Sequence, residues 1–270
     1  MNTTGIKQGF KKFFKAAAET FFPEKFTCDI CGIEIFEGRL CKDCLKTVTF
    51  NDKAVCPVCG RKTVRPEICL ECKADLPKFK KAVSPIVYED GGVALVLKFK
   101  NGNGYLKEHF ASLMASKLKD FPSSFDCIVY VPMTKKAVNR RGYNQAKLLA
   151  ESLSEKIGVP WLKDAVIKTA DTPEQKTLTK KERIANLEGC FKVAKREEIK
   201  GKSVLIVDDV LTTGATCEAM AKRLLSAGAK KIYLATVASV EYKQFKKSKK
   251  ALTAKKKLMR RRKSERAKRR

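Results

Sequence analysis

Four Cys-x-x-Cys pairs near the N-terminus constrain the fold of this chain more than any other feature. The pairs begin at Cys28, Cys41, Cys56 and Cys69. Nine residues lie between the first pair and the second, and nine lie between the third and the fourth. The unit Cys-x-x-Cys-x9-Cys-x-x-Cys therefore occurs twice. A two-residue gap lets a tight turn aim both sulfurs at one point, and two such turns supply the four thiolates of a tetrahedral zinc site.

The duplication predicts an N-terminal double zinc ribbon with two structural zinc ions. Gly32 and Gly60 follow the second cysteine of their turns, where the chain has to swing back with a positive φ. The sequence leaves open whether neighbouring pairs share a zinc ion or the turns interleave. Redox-active pairs would need a thioredoxin-like strand and helix around them, which this segment lacks. Eight thiolates are the expected ligands: Cys28, Cys31, Cys41, Cys44, Cys56, Cys59, Cys69 and Cys72.

Composition restricts the class of protein. The chain has 270 residues, of which 44% are hydrophobic, as in a globular protein of one or two domains. No uncharged apolar run approaches the roughly 18–20 residues of a membrane span. The N-terminus shows no apolar segment of the signal-peptide type, so a cytoplasmic location is expected. Cysteines in a reducing compartment are more often metal ligands than disulfides.

Changes in composition along the chain predict four regions. Residues 1–27 have the apolar spacing of an amphipathic helix, which either packs on the next domain or binds a membrane surface or nucleic acid. Residues 28–77 form the double zinc ribbon and residues 78–240 an α/β domain. Residues 241–270 hold sixteen Lys or Arg and two Glu, so this segment contributes +14 of the formal net charge of +29 that the whole chain carries. We expect this tail to be disordered, as a solvated extension, a nucleic-acid arm or a contact with an anionic membrane.

Strands alternate with helices after the cysteine-rich region, which predicts a mostly parallel sheet. Residues 92–99 are ambiguous between strand and helix, and residues 168–186 form a long polar loop of the kind that closes over a site. The predicted strands are Ser84–Tyr88, Cys127–Pro132, Ser203–Val207 and Ile232–Ala238, and the predicted helices are Leu106–Leu118, Ala146–Ile157 and Thr216–Ala227.

The segment with the clearest chemistry follows the strongest strand. Asp208 and Asp209 end that strand, and the small-residue turn Thr212–Thr216 leads into a helix. Backbone N–H groups and the helix dipole at such a turn form a cradle for phosphate. Two carboxylates beside it suit the cis hydroxyls of a ribose or a magnesium ion. A nucleotide P-loop is excluded because no GxxxxGK[ST] motif occurs.

This segment resembles the phosphoribosyl pyrophosphate (PRPP) signature of type I phosphoribosyltransferases. Together with the double zinc ribbon, further motifs resemble the ComF family of competence proteins over roughly residues 20–240. These motifs are Phe21-Phe22-Pro23, Lys98-Phe99, the run Arg140-Arg141-Gly142-Tyr143-Asn144-Gln145, and the spacing of Thr172, Gln175, Leu178, Arg183, Asn186 and Phe191. The basic tail is not part of the pattern.

The resemblance implies a type I phosphoribosyltransferase-like α/β fold and a set of site residues. Asp208 and Asp209 would be catalytic and would hold the ribose hydroxyls of PRPP, with magnesium as a cofactor. Three further segments would bind the rest of the ligand. The 5′-phosphate would lie at Thr212, Thr213, Gly214, Ala215 and Thr216, and the pyrophosphate at a loop with Thr134, Lys135 and Lys136. A loop with Lys176, Lys180 and Arg183 would close over the site.

Three functions remain open at this point. The first is a ComF-like protein that binds PRPP or a related ribose phosphate and handles incoming single-stranded DNA, with other competence proteins as partners. The second is a phosphoribosyltransferase of nucleobase salvage. The third is a non-catalytic module that uses the pocket as a sensor or as a site for DNA. The competence role is implied by the resemblance alone.

Overall fold

The computed structural model describes residues 26–52, 54–121, 125–170, 187 and 189–241. Three predicted segments lie wholly or almost wholly outside these residues: the helix of residues 1–27, the loop of residues 168–186 and the tail of residues 241–270. Among the described helices, none combines the length and the apolar composition needed to cross a bilayer.

The chain divides into two compact units, Met1–Thr47 and Val48–Arg270. In the first unit, β1 (Phe26–Thr27) pairs antiparallel with β2 (Glu34–Ile35) around the first cysteine turn. The short helix α1 (Lys42–Thr47) carries the last cysteine of the first repeat. The boundary between the units thus falls between the two cysteine repeats.

The second unit contains the second repeat and all the remaining elements. In chain order they are α2 (Leu70–Ala74), β3 (Lys81–Val83), β4 (Ile86–Val87), α3 (Asp90–Lys100), α4 (Leu106–Leu118), β5 (Cys127–Tyr130), α5 (Lys135–Arg141), α6 (Gln145–Ile157), β6 (Val166–Lys168), β7 (Phe191–Val193), α7 (Arg196–Ile199), β8 (Ser203–Leu211), α8 (Ala215–Ser226) and β9 (Lys231–Ser239).

A five-stranded parallel sheet is the centre of the second unit. β8 lies between β5 and β9, and β9 also pairs with β3 and β4. The runs Val204–Val207 and Ile232–Ser239 are buried, as expected for strands covered on both faces. Helix α6 packs on β5 and β8, and α8 packs on β8 and β9. The predicted α/β fold class, a mostly parallel sheet, is confirmed.

Several element boundaries differ from those predicted. The ambiguous segment is the helix α3, whose two glycines weaken helix propensity while its Leu95, Val96 and Phe99 are buried. The predicted strand Ser84–Tyr88 is reduced to β4, with β3 starting earlier. Strand β8 continues past Val207 to Leu211, because these residues keep their pairing with β9.

The second cysteine repeat packs directly on the sheet. The backbone N–H of Ala82 in β3 donates to the carbonyl of Val58, at 2.8 Å. Gly60 has a φ of +67°, and a Cβ atom placed on it would lie 2.5 Å from the carbonyl oxygen of Ala82. Only glycine permits both this backbone conformation and this close approach.

We predict that Gly60→Ala destabilises the second unit by about 2–4 kcal/mol, from the positive φ and from overpacking against β3. Gly201→Ala is the matched control, because Gly201 lies in the same unit and has a φ of +74° with nothing within 4 Å of a built Cβ atom. Urea unfolding followed through Trp161, the single tryptophan, measures the effect. Equal losses in the two variants would contradict the packing argument.

Candidate functional site

The eight paired cysteines form two separate four-cysteine clusters. One holds the cysteines of the first repeat and the other those of the second, and within each the Sγ atoms all lie within 4.8 Å of one another. The Sγ atoms of Cys31 and Cys41 are 3.8 Å apart, as are those of Cys59 and Cys69. A zinc–sulfur bond of about 2.3 Å gives a tetrahedral edge of about 3.8 Å. The clusters therefore fit structural zinc, and neighbouring pairs share each ion.

The two clusters differ in their surroundings. All four cysteines of the second cluster are buried, whereas in the first cluster only Cys28 is. Backbone N–H groups donate to sulfur in both, from Cys44 to Cys41 and from Cys69 to Cys56, each at 3.4 Å. Such bonds orient a thiolate ligand. The duplicated unit thus forms the same metal site in two different environments.

The two predicted carboxylates lie at the carboxyl end of the sheet. Strand β8 carries Asp208 and Asp209 in adjacent positions, and both side chains are partly buried. The backbone N–H of Asp209 donates to Oδ1 of Asp208 at 2.8 Å. The thiol of Cys217, from α8, approaches Oδ2 of Asp208 at 3.9 Å. Ligands of open α/β sheets bind at this edge.

Burial and the neighbouring Asp209 carboxylate raise the pKa of Asp208 to about 8. Removing a carboxylate from water and placing it beside a like charge both disfavour its ionised form. Burial, followed by the charges of Asp208 and Asp209, also holds the pKa of the Cys217 thiol well above its ordinary value. Cys217 is therefore a protonated hydrogen-bond donor at neutral pH.

Lys100 is a residue of the site that the sequence did not reveal. Its Nζ atom lies 3.1 Å from Oδ2 of Asp209. Lys100 ends helix α3, and the hydroxyl of Tyr143 donates to the carbonyl of its neighbour Phe99. The Lys100 ammonium group therefore reaches the acidic pair, Asp208 and Asp209, from a helix end that is held in place by the Tyr143 hydrogen bond. The available sequence signal was only a basic residue before an Asn-Gly turn.

The predicted phosphate turn joins β8 to α8. Gly214 has a φ of +81° and is the N-cap of α8, a position where a left-handed backbone favours glycine. The hydroxyl of Thr213 accepts a hydrogen bond from the N–H of Ala215 at 3.3 Å. Thr212 is exposed, and Thr213, Gly214 and Thr216 are partly exposed. A helix N-terminus open to solvent suits an anion.

The predicted pyrophosphate segment follows β5 at the same edge of the sheet. Thr134 is the N-cap of α5 and accepts from the N–H of Ala137 at 3.2 Å. Lys135 and Lys136 are therefore in the first turn of a helix, with both side chains exposed. The carbonyl of Val131 accepts from the Asn144 side chain at 3.1 Å.

The site residues taken from the resemblance thus fall into two groups. The acidic pair, the phosphate turn and the segment after β5 meet at one edge of the sheet, since β5 and β8 are neighbours. Lys176, Lys180 and Arg183 of the predicted closing loop lie outside the described residues.

We predict that metal analysis gives two zinc ions per chain. Cys41→Ser and Cys69→Ser each remove a ligand from a different cluster, so each should reduce the content to one. Because the second cluster packs within the unit that holds the sheet, only Cys69→Ser should lower the unfolding midpoint seen by Trp161. One zinc ion in the parent protein, or two retained in Cys69→Ser, would contradict the assignment.

Two protein families match the chain. The model of the phosphoribosyl transferase domain matches residues 106–260, which is more than half of the chain. The model of the double zinc ribbon domain matches residues 17–73. The first match contains the sheet edge with the acidic pair, and the second contains both cysteine clusters.

Curated relatives are between 30% and 38% identical to this chain over the residues that align. DNA utilization protein YhgH of Escherichia coli K12 is 38% identical over 38% of this chain and 45% of that protein. Competence protein F of Haemophilus influenzae is 37% identical over 40% of this chain and 47% of that protein. Competence protein ComFC of Bacillus subtilis is 30% identical over 52% of this chain and 56% of that protein. The chain spans about half the length of the curated relatives it matches.

Among solved structures, adenine phosphoribosyl transferase from Trypanosoma brucei aligns with 73% of this chain and 66% of that protein, at 13% identity and a TM-score of 0.36. A similarity of this size carries no argument about function. The family models and the relatives do confirm the resemblance to ComF proteins. The chain belongs to the phosphoribosyl transferase domain family and carries an N-terminal double zinc ribbon.

Proposed function

We propose that the chain binds a ribose 5-phosphate of the PRPP class at the sheet edge and uses it in the handling of single-stranded DNA during competence. The proposal depends on two features that follow one another along the chain. The acidic pair, Asp208 and Asp209, lies on β8, and the phosphate turn leads directly from β8 into α8. Asp208 and Asp209 are hydrogen-bond acceptors beside a helix N-terminus, so one ligand with vicinal hydroxyls and a phosphate satisfies both.

Charge balance supports a sugar phosphate as the ligand. Lys100 offsets the charge of Asp209, and the raised pKa of Asp208 keeps that carboxyl protonated near neutral pH, so the two groups can lie side by side without a ligand. The hydroxyls of a ribose donate to the carboxylates, while the N–H groups of the turn hold the phosphate. The exposed Lys135 and Lys136 add positive charge on the side of β5, where a second phosphate group of the ligand would be neutralised.

A transfer reaction at this site would break the bond between C1 of the ribose and the pyrophosphate oxygen. The electron pair leaves with pyrophosphate, and an acceptor nucleophile forms the new bond at C1. Asp208 and Asp209 would orient the ring, and the lysines of α5 would stabilise charge on the leaving oxygens. The carboxylate pair fits magnesium, which when bound supplies further positive charge to the leaving group.

Two observations support a role with DNA. The matching relatives are described as a DNA utilization protein and as competence proteins. The chain also has a formal net charge of +29, which favours binding to a polyanion. The acceptor of a transfer would then be a nucleic acid or one of its components.

The function is tested by mixing the purified protein with PRPP, magnesium and a panel of acceptors, and measuring bound PRPP and released pyrophosphate. We expect the protein to bind PRPP. If DNA is the acceptor of the transfer, we expect single-stranded DNA to stimulate the release of pyrophosphate. Release with one free base would support nucleobase salvage instead, and binding without release would support a sensor. No binding of PRPP would overturn the proposed function.

We predict that Asp208→Asn weakens PRPP binding about tenfold to a hundredfold when it is measured above pH 8, where Asp208 is ionised, because hydrogen bonds to a charged acceptor are lost. The asparagine keeps an oxygen for the N–H of Asp209, so the strand should remain intact. Asp120→Asn is the matched control, since Asp120 is exposed and follows α4. Calorimetry measures both affinities, and unchanged binding in Asp208→Asn would refute the assigned role.

The raised pKa of Asp208 predicts a pH-dependent stability in the absence of ligand. Its folded carboxyl keeps a proton that the unfolded chain loses near pH 4, so its contribution to stability falls as the pH rises from about 4 to about 8. Asp208→Asn cannot lose a proton. The difference in melting temperature between the variant and the parent should therefore grow by about 5–9 °C between pH 6 and pH 8, in favour of the variant, and level off above. A constant difference over this range would contradict the prediction.

A further inference from the structure

The second cysteine cluster and the phosphate turn face each other across a small cleft. Cys59, Arg61 and Glu71 line it from the ribbon, and Thr213 and Gly214 line it from the turn. Both walls belong to the second compact unit. A zinc site and a candidate phosphate site are therefore adjacent in one folded body.

Arg61 is the direct connection between the two walls. Its Nη1 atom donates to Oε2 of Glu71 at 2.6 Å, and its Nη2 atom donates to the backbone carbonyl of Thr212. Only 5% of the residue is exposed. A guanidinium this deeply buried needs good partners to offset its lost hydration. It has one carboxylate from the ribbon and one carbonyl from the phosphate turn.

The backbone of Arg61 belongs to the tight turn that carries the metal ligands Cys56 and Cys59. Its carbonyl accepts the N–H of Cys56 at 2.9 Å, and Arg61 comes two residues after the ligand Cys59. Glu71 lies between the ligands Cys69 and Cys72. Zinc binding at this cluster therefore fixes both members of the ion pair that reaches the turn.

The contact at Thr212 determines how the turn presents its donors. In a trans peptide the carbonyl and the following N–H point in opposite directions. Because the Thr212 carbonyl points to the guanidinium, the N–H of Thr213 points away from it. The Nη2 atom also lies 3.8 Å from a Cβ atom built on Gly214, so its positive charge sits close to the turn.

We propose that Arg61 is a positioning residue for the phosphate turn, and that zinc in the second cluster and sugar phosphate at the turn stabilise each other through it. This inference rests on the proposed function. The first repeat has no counterpart, because Ile33 occupies the position that Arg61 has in the second repeat. The duplicated ribbons would then serve different purposes, with only the second acting on the ligand site.

Affinity is the first measurement. Calorimetry with ribose 5-phosphate should show about a tenfold or greater loss in Arg61→Met, with two zinc ions retained. Arg61→Lys keeps the positive charge and a hydrogen-bond donor group, without the two-pronged geometry of the guanidinium, and should recover part of the affinity, which a purely structural role would not require. Arg39→Met is the matched control, since Arg39 pairs with Asp29 in the first ribbon at 3.9 Å.

Zinc release is the second measurement, because coupling between two binding sites is reciprocal. Ribose 5-phosphate should slow the transfer of one of the two zinc ions to a chelating dye severalfold in the parent protein. It should have no such effect in Arg61→Met. If Arg61→Met unfolds, Glu71→Gln keeps an acceptor for the guanidinium, removes one charge, and should still weaken both effects.

The outcomes separate this inference from the proposed function. If the parent protein binds neither PRPP nor ribose 5-phosphate, the proposed function and this inference are both overturned. If it binds them, and Arg61→Met binds as tightly with unaltered zinc release, the coupling alone is refuted. Loss of affinity in Arg61→Met with partial recovery in Arg61→Lys supports it.

Discussion

The parallel pairing of β8 with strands on both sides determines most of the second unit. Pairing with β5 and β9 buries the apolar run Val204–Val207 and extends β8 to Leu211. Because all these strands are parallel, their carboxyl ends meet at one edge. Asp208 and Asp209, the phosphate turn and the segment after β5 are therefore neighbours in space, although β5 and β8 are far apart in sequence. Without this pairing no ligand site would exist at that edge.

The duplicated cysteine unit shows how one metal-binding pattern can acquire two environments. In the second repeat, Gly60 packs against β3 and Arg61 reaches the phosphate turn. The corresponding residues of the first repeat are Gly32, with nothing near a built Cβ atom, and Ile33. Zinc geometry requires only the spacing of the cysteines, so the residues between them are free to differ. In the second ribbon these residues pack against the sheet, and the ribbon belongs to the same compact unit as the α/β fold.

Features that depend on local pattern were predictable from the sequence. The spacing of the cysteines gave two zinc sites, and the run Ser203–Val207 followed by two aspartates gave the central strand and its acidic end. Helix α6 ends at Ile157 and is capped by Gly158, which has a φ of +68°, as the glycine indicated. The helix α3 was not predictable, since two glycines oppose a helix that tertiary burial stabilises.

Contacts between distant segments were beyond the reach of sequence patterns. Lys100 meets Asp209, and Arg61 meets Thr212 across 151 positions. A lysine before a turn and an arginine after a Cys-Gly pair look like ordinary solvated side chains in a basic chain. Only the packing of α3 and of the second ribbon around the sheet edge brings these two cations to the acidic pair and to the phosphate turn.

A crystal structure of the zinc-loaded protein with ribose 5-phosphate would show whether the sheet edge holds a sugar phosphate. We expect the phosphate on the N–H groups of residues 213–216, the ribose hydroxyls at Asp208 and Asp209, and the Arg61 guanidinium still on the Thr212 carbonyl. A sugar phosphate bound away from this edge, or an Arg61 side chain turned into solvent in the complex, would contradict this expectation.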